Sequence, residues 1–211
     1  MPLYKTIVHN SDTQIFVWKI SETEAALNAT IQLQDKHLHR LNGMLSEQHR
    51  KGFLSVRKLL NEAGYTDFDL NYDTNGKPSL ADGKHISITH SYDFSAIIVS
   101  SQNVGIDIEK QREKIIKIAD KFIGSEADFL NIEQNYKENL SVIWGAKEAL
   151  YKMCNSRSLS FKQDMHIHDF TQNINQGTAL IDCKELNFGC KFMFHFETFE
   201  NYTLVYALEN E

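Results

Sequence analysis

Asp107 and Glu109 stand two residues apart in Gly105-Ile106-Asp107-Ile108-Glu109. In an extended chain that spacing turns both carboxylates to one face and Ile106 and Ile108 to the other. Carboxylates held side by side repel unless a cation lies between them, and hard oxygen donors suit magnesium. The same alternation also describes a half-exposed strand with a wet acidic face, so the pair alone supports either reading. A second group changes the weighing. Trp144, Glu148 and Lys152 recur at i, i+4 and i+8, opposite the apolar stripe Val142, Ala146, Ala149 and Met153. A Glu–Lys pair one turn apart is usually a surface pair worth a few tenths of a kcal/mol. An aromatic ring one turn before it on the same face is unusual for bare solvent exposure. A third carboxylate, a lysine and an aromatic platform together suit a site for phosphate and metal.

These groups need a strand at Val104–Glu109 and a helix at 141–153 to present them. Upstream, 14–20 alternates as a strand. A helix over 46–63 is marked by Ser46 as its cap, by Phe53, Val56, Leu60 and Ala63 as its apolar stripe, and by Gly64 as its stop. Arg50 and Arg57, seven apart, share one face of it. Asn75-Gly76-Lys77-Pro78 reads as a turn, and Ile86–His90 with Ala96–Ser101 as a hairpin. Downstream, 112–122 and 125–135 are helical candidates. The stretches 178–183, 190–197 and 202–208 read as strands, the last two joined at Glu200-Asn201. Strands and helices recur in similar order in both halves. Two α+β units of about 100 residues each are therefore expected, joined near Ser101-Gln102-Asn103.

Other motifs are missing. No two of the ten glycines lie two residues apart, so a GxGxxG loop is impossible; GxxxxGK[ST] and GxSxG do not occur either. The pairs His37/His39 and His166/His168 have strand-like spacing without the cysteine or carboxylate pattern of a zinc site and read as ordinary residues. His90, following a strand, reads most simply the same way. The 211 residues carry 22 basic and 28 acidic groups, a net charge of −6, which disfavours a nonspecific nucleic-acid binder. The charge is −1 over residues 1–100 and −5 over 101–211, so the surplus carboxylates sit in the second half. The apolar runs are no longer than about Ala96–Val99, too short to span a membrane, and residues 1–5 lack a signal-peptide stretch. Cys154, Cys183 and Cys190 form no CxxC and leave one unpaired, as expected of a reduced, cytoplasmic protein.

Taken together, Val104-Gly105-Ile106-Asp107-Ile108-Glu109 and, 35 residues later, Trp144-Gly145-Ala146-Lys147-Glu148-Ala149-Leu150-Tyr151-Lys152 resemble the paired signature of the 4'-phosphopantetheinyl transferase superfamily, (V/I)GxDxE then WxxKEAxxK. Every fixed position is filled. Gly76-Lys77-Pro78 and Ile86–Ser91 resemble elements of the longer, two-subdomain, surfactin-synthetase-activating members, with Thr89 where Ser is usual. Phe122 and Glu126 fall where the family has an aromatic and a Glu. The resemblance covers about 45–160; residues 1–40 and 162–211 add only compatible strands. One departure is the run Cys154–Leu159, where the family usually has glycines.

The resemblance implies an α+β fold of two similar subdomains in a pseudo-two-fold arrangement, 1–101 on the coenzyme 3'-phosphate and adenine side and 102–211 carrying metal and catalytic residues, with the active site in the cleft between them. It implies transfer of the phosphopantetheine arm of coenzyme A to a serine of an apo carrier protein, with magnesium and without nucleic acid or membrane, by a cytoplasmic monomer. Carried over, Asp107, Glu109 and Glu148 are the metal ligands, Glu148 the base and Lys152 the neutraliser of a phosphate oxygen. His90, Lys77 and Arg50 contact the 3'-phosphate and adenine side. Lys147, at a helical angle between the two faces, has no clear role. Two other classes compete with this reading: a non-catalytic module that docks carrier proteins or coenzyme A, and a metal-dependent phosphohydrolase that uses water as acceptor.

Overall fold

The alternating segments form strands and the 3.6-period segments form helices. The computed structural model describes residues 3–154, 159–170, 174–183 and 188–209. The chain divides into two compact units, Met1–Gln102 and Asn103–Glu211.

Among the described residues the first unit runs β1 (Leu3–Val8), β2 (Gln14–Lys19), α1 (Glu24–Asn28), α2 (Asp35–Asn42), α3 (Glu47–Glu62), β3 (Leu70–Tyr72), β4 (Pro78–Leu80), β5 (His85–Ser91) and β6 (Phe94–Ser100). Its strands form an antiparallel sheet in the order β1-β2-β6-β5-β4-β3. The second runs β7 (Val104–Lys110), α4 (Lys114–Ile118), α5 (Tyr136–Cys154), β8 (Met165–Ile167), β9 (Gln176–Cys183), β10 (Phe188–Phe199) and β11 (Tyr202–Glu209). Its antiparallel sheet has the order β7-β11-β10-β9-β8. The two topologies correspond. In each, the strand before the helices pairs with the last strand of the unit, and the remaining strands follow in reverse order; the first unit adds β1 at its edge. The fold is α+β with two separate antiparallel sheets.

Local signals explain most boundaries. Ser46 Oγ accepts the His49 N–H at the start of α3, and Gly64, at φ +85°, follows its end. Phe53, Val56, Leu59 and Leu60 bury the apolar stripe of α3 among Phe16, Trp18, Ile86 and Ile97. Val142, Ala146, Ala149 and Met153 of α5 pack with Phe194, Phe196, Val205 and Ala207. The β10–β11 hairpin turns at Glu200 and Asn201, both at positive φ, which is the two-residue geometry that matches strand twist.

Several expectations need correcting. Residues 125–135 form no helix beyond a 3-10 turn at Ser125–Asp128, and within 112–122 the α-helix covers only α4, followed by a 3-10 turn at Ala119–Lys121. The Glu126 side chain accepts the N–H of Gly124 and of Ile167, which diverts it to a distant strand. The first 40 residues hold α1 and the start of α2 as well as strands. His37 and His39 lie on α2, and His37 is no ordinary residue. Its Nδ1 lies 2.8 Å from Asp67 Oδ1, and Arg57 Nε donates to the same oxygen at 2.9 Å, all three residues being buried. Burial lowers the His37 pKa, with the Asp67 hydrogen bond opposing it. None of the three cysteines forms a disulfide. No described helix is long and apolar enough to cross a membrane.

Candidate active site

The site is built where α5 lies along β7. Gly105, Asp107 and Glu109 alternate toward one face of the strand, and α5 covers that face running the other way. A Cβ at Gly105 would sit 2.0 Å from the Ala149 carbonyl oxygen and 2.9 Å from Met153 Cγ, so only glycine admits the helix this close. Gly145 does the same from the helix side: its Cβ would lie 2.6 Å from Val205 Cγ2. A glycine inside a helix costs about 1 kcal/mol against alanine, so Gly145 within a helical pattern is a signal for close approach that the sequence reading did not use.

Lys152 Nζ donates to Asp107 Oδ1 at 2.9 Å and to the Ile106 carbonyl at 2.7 Å. Asp107 is 5% exposed, and Ile106 and Ile108 on the other face are fully buried, so β7 is not a strand with one wet face. Glu148 lies one helical turn before Lys152. Its carboxyl is pushed up to about 7, first by burial and then by the Asp107 and Glu109 carboxylates, with Lys152 pulling the other way. The strand pair and the helix residue, 39 positions apart at their nearest, thus form one electrostatic group.

Glu109 also lines a cavity of about 180 Å³ with Lys110, Arg112, Lys114, Ile115, Ile118, Ser141 and Trp144. Trp144 is only partly exposed. It meets Phe122 edge-on at 5.1 Å and Phe161 at 5.5 Å between ring centroids. The expected open aromatic platform is therefore one wall of an aromatic cluster.

Lys147 is 0% exposed and points the other way. Its Nζ donates to the carbonyls of Phe122 (2.6 Å) and Phe161 (2.8 Å) and pairs with Glu126 Oε1 at 2.7 Å, Glu126 being 0% exposed too. Burial lowers the Lys147 pKa, and Glu126 opposes it. Sequence reasoning left this lysine without a role because its partner arrives from a turn 21 residues away.

In the first unit, His90 is an exposed residue on β5 whose ring lies against α3 at Gly52, where a Cβ would be 3.0 Å from the imidazole. Lys77 is half-buried in the turn between β3 and β4; its N–H donates to Asp73 Oδ1. Arg50 Nε donates to both Glu24 carboxylate oxygens at 2.8 and 2.9 Å, and its Nη1 donates to the Met44 and Leu45 carbonyls, an arrangement that staples α1 to α3. The run 155–158, where family glycines are usual, lies outside the described residues.

Residues 103–207 match the model of a known family across the whole of this β7–α5 site. They are a domain of the 4'-phosphopantetheinyl transferase superfamily. That superfamily transfers phosphopantetheine from coenzyme A to carrier proteins, typically with a divalent metal. No curated protein matches the chain. In this transferase-family domain, no described group of three or more His, Cys, Asp or Glu side chains stands in a ready-made metal cage. The donor chemistry nevertheless fits a hard divalent cation. The three candidate donors are all carboxylates, and Glu148, its pKa raised first by burial and then by the Asp107 and Glu109 carboxylates, stands where a cation would offset like charges.

The same shift has a consequence for stability. The folded protein holds the Glu148 proton up to about pH 7, against 4.5 for an ordinary glutamate. The group's contribution is therefore fully present below pH 4.5 and is lost as pH rises through 7. At ~1.4 kcal/mol per unit the loss is on the order of 3 kcal/mol. Metal-free Glu148→Gln should accordingly melt higher than wild type at pH 8 and close to it at pH 4.5. A constant difference across that range would show that neither burial nor the neighbouring carboxylates raise the Glu148 pKa.

Proposed function

We propose that the protein is a magnesium-dependent transferase that moves the 4'-phosphopantetheine arm of coenzyme A onto a serine of an apo carrier protein, releasing adenosine 3',5'-bisphosphate. The carrying observation is the convergence of Asp107, Glu109, Glu148 and Lys152 at the β7–α5 contact inside the matched domain. Asp107, Glu109 and Glu148 would hold the metal. Bound there, the cation would polarise the pyrophosphate and stabilise charge on the leaving group.

The protein's own residues do the rest. Glu148, ionised beside the cation, accepts the serine proton. Lys152, held toward β7 by Asp107, presents its ammonium to a phosphate oxygen. No covalent nucleophile is needed, because phosphoryl-type transfer rests on positioning and charge neutralisation. The cavity beside Glu109 joins the cations of Lys110, Arg112 and Lys114 to the apolar Ile115, Ile118 and Trp144. That mixture suits an acidic, partly apolar carrier protein docking next to the carboxylates. Two units of corresponding topology in one chain support the longer, surfactin-synthetase-activating type, which we read as a cytoplasmic monomer.

On the coenzyme side His90 and Lys77 contact the 3'-phosphate and adenine end. Arg50 has the smallest share because Glu24 already engages its Nε. His90→Ala should weaken coenzyme A binding about 10- to 150-fold and leave 3'-dephospho-coenzyme A binding nearly unchanged. Equal losses for both ligands would remove His90 from the phosphate contact.

The function itself is tested by incubating the protein with coenzyme A, magnesium and a panel of apo carrier proteins. A carrier gaining the mass of one phosphopantetheine arm is the expected result. Release of free phosphopantetheine without any carrier would instead identify a hydrolase, and binding without turnover a docking module.

A further inference from the structure

We infer that the buried Glu126–Lys147 pair is a positioning device: it fixes the rotation of α5 about its own axis so that Glu148 faces Asp107 and Glu109. The inference rests on the transferase reading above and adds two residues to it. Lys147 directly precedes Glu148, so about 100° of helix separates the two side chains. Whatever fixes the direction of Lys147 fixes that of Glu148.

Three anchors from three parts of the chain fix Lys147. The Phe122 carbonyl follows the 3-10 turn at Ala119–Lys121, Glu126 lies in the turn at Ser125–Asp128, and the Phe161 carbonyl comes after α5. An ammonium has three N–H donors, and all three have an acceptor within 2.6–2.8 Å. Glu126 is itself held, Oε1 by the Ile167 N–H and Oε2 by the Gly124 N–H, each at 2.8 Å.

The rings of the same two carbonyl residues pack on α5. Phe122 and Phe161 both meet Trp144, and Phe161 meets Tyr151 at 5.6 Å. On its other side α5 is tied to β7 by Lys152. The helix is therefore clamped at two angles, and Glu148 lies on the stretch between the clamps. With its Nζ saturated and 0% exposed, Lys147 makes no contact with a phosphate of the coenzyme.

Lys147→Met and Glu126→Gln test this, each measured by calorimetry for coenzyme A in EDTA and for magnesium chloride added to the coenzyme-saturated protein, alongside turnover and thermal melting. Both variants should lose about tenfold or more in magnesium affinity and about 10²-fold in kcat, while holding coenzyme A in EDTA within about threefold of wild type. The Glu126 variant keeps the Lys147 charge and the side-chain size, so it serves if Lys147→Met does not fold. A tenfold or larger loss of coenzyme A affinity in EDTA for Lys147→Met alone would make Lys147 a phosphate contact and overturn the inference. Lower melting temperatures with unchanged magnesium affinity and kcat would reduce the pair to a structural bridge and overturn it too. If wild type itself bound neither coenzyme A nor magnesium, the transferase reading would fall, and the inference with it.

Discussion

Glu148→Gln is expected to lose about 10²–10⁴-fold in turnover while holding coenzyme A within about threefold of wild-type affinity. The amide keeps the size of the side chain and one coordinating oxygen but accepts no proton. Without metal, burial and then the Asp107 and Glu109 carboxylates raise its proton affinity to about 7; a cation held by the three carboxylates would lower it, so that the group is ionised and able to accept a proton at neutral pH. A base acts chiefly in the transition state, so the loss belongs in kcat rather than in ground-state binding. Single-turnover transfer to an apo carrier at saturating magnesium separates the two. Turnover within tenfold of wild type would mean that Glu148 is neither base nor essential ligand, and the proton acceptor would then have to lie elsewhere.

Gly105→Ala is expected to lower the melting temperature by more than about 10 °C, from a loss of ~3–5 kcal/mol. The added methyl would have to occupy space 2.0 Å from the Ala149 carbonyl oxygen, which is helix backbone and has no rotamer to give. Relief requires moving α5 off β7, which also parts Lys152 from Asp107 and Glu148 from both strand carboxylates. Transfer activity measured well below the melting point should therefore fall with stability. A variant that melts within about 3 °C of wild type and stays active would show that the β7–α5 contact is softer than its geometry implies. Gly64→Ala is a useful contrast. A Cβ there meets nothing within 4 Å, but φ is +85°, so the cost is backbone strain of about 1–2 kcal/mol at the end of α3, away from β7.

The sequence by itself determined the two elements that carry the site and which of their residues share a face. Period-two alternation gave β7 and the pairing of Asp107 with Glu109. The 3.6 repeat gave α5, its buried stripe and the alignment of Trp144, Glu148 and Lys152. Ser46, Gly64 and Glu200-Asn201 marked boundaries through local backbone chemistry, which needs no distant partner. The spacing of the paired signature pointed to the superfamily.

Only the tertiary structure decided what depends on residues far apart in the chain. The 125–135 stretch has enough helical pattern to mislead, but Glu126 leaves it to hold Lys147 and the backbone of Ile167. Lys147 lies at a helical angle between buried and exposed, and its direction is set by acceptors 14 to 25 residues away. His37 read as an ordinary residue with strand-like spacing to His39, but on α2 Arg57 and Asp67 enclose it. The proton affinity of Glu148 is likewise absent from its spacing. It arises because close packing at Gly105 and Gly145 brings α5 against β7, where burial strips water from the carboxyl and two like charges stand near it. Periodicity is a property of neighbouring residues and can be read along a chain, whereas desolvation and charge coupling are set by what packs from elsewhere.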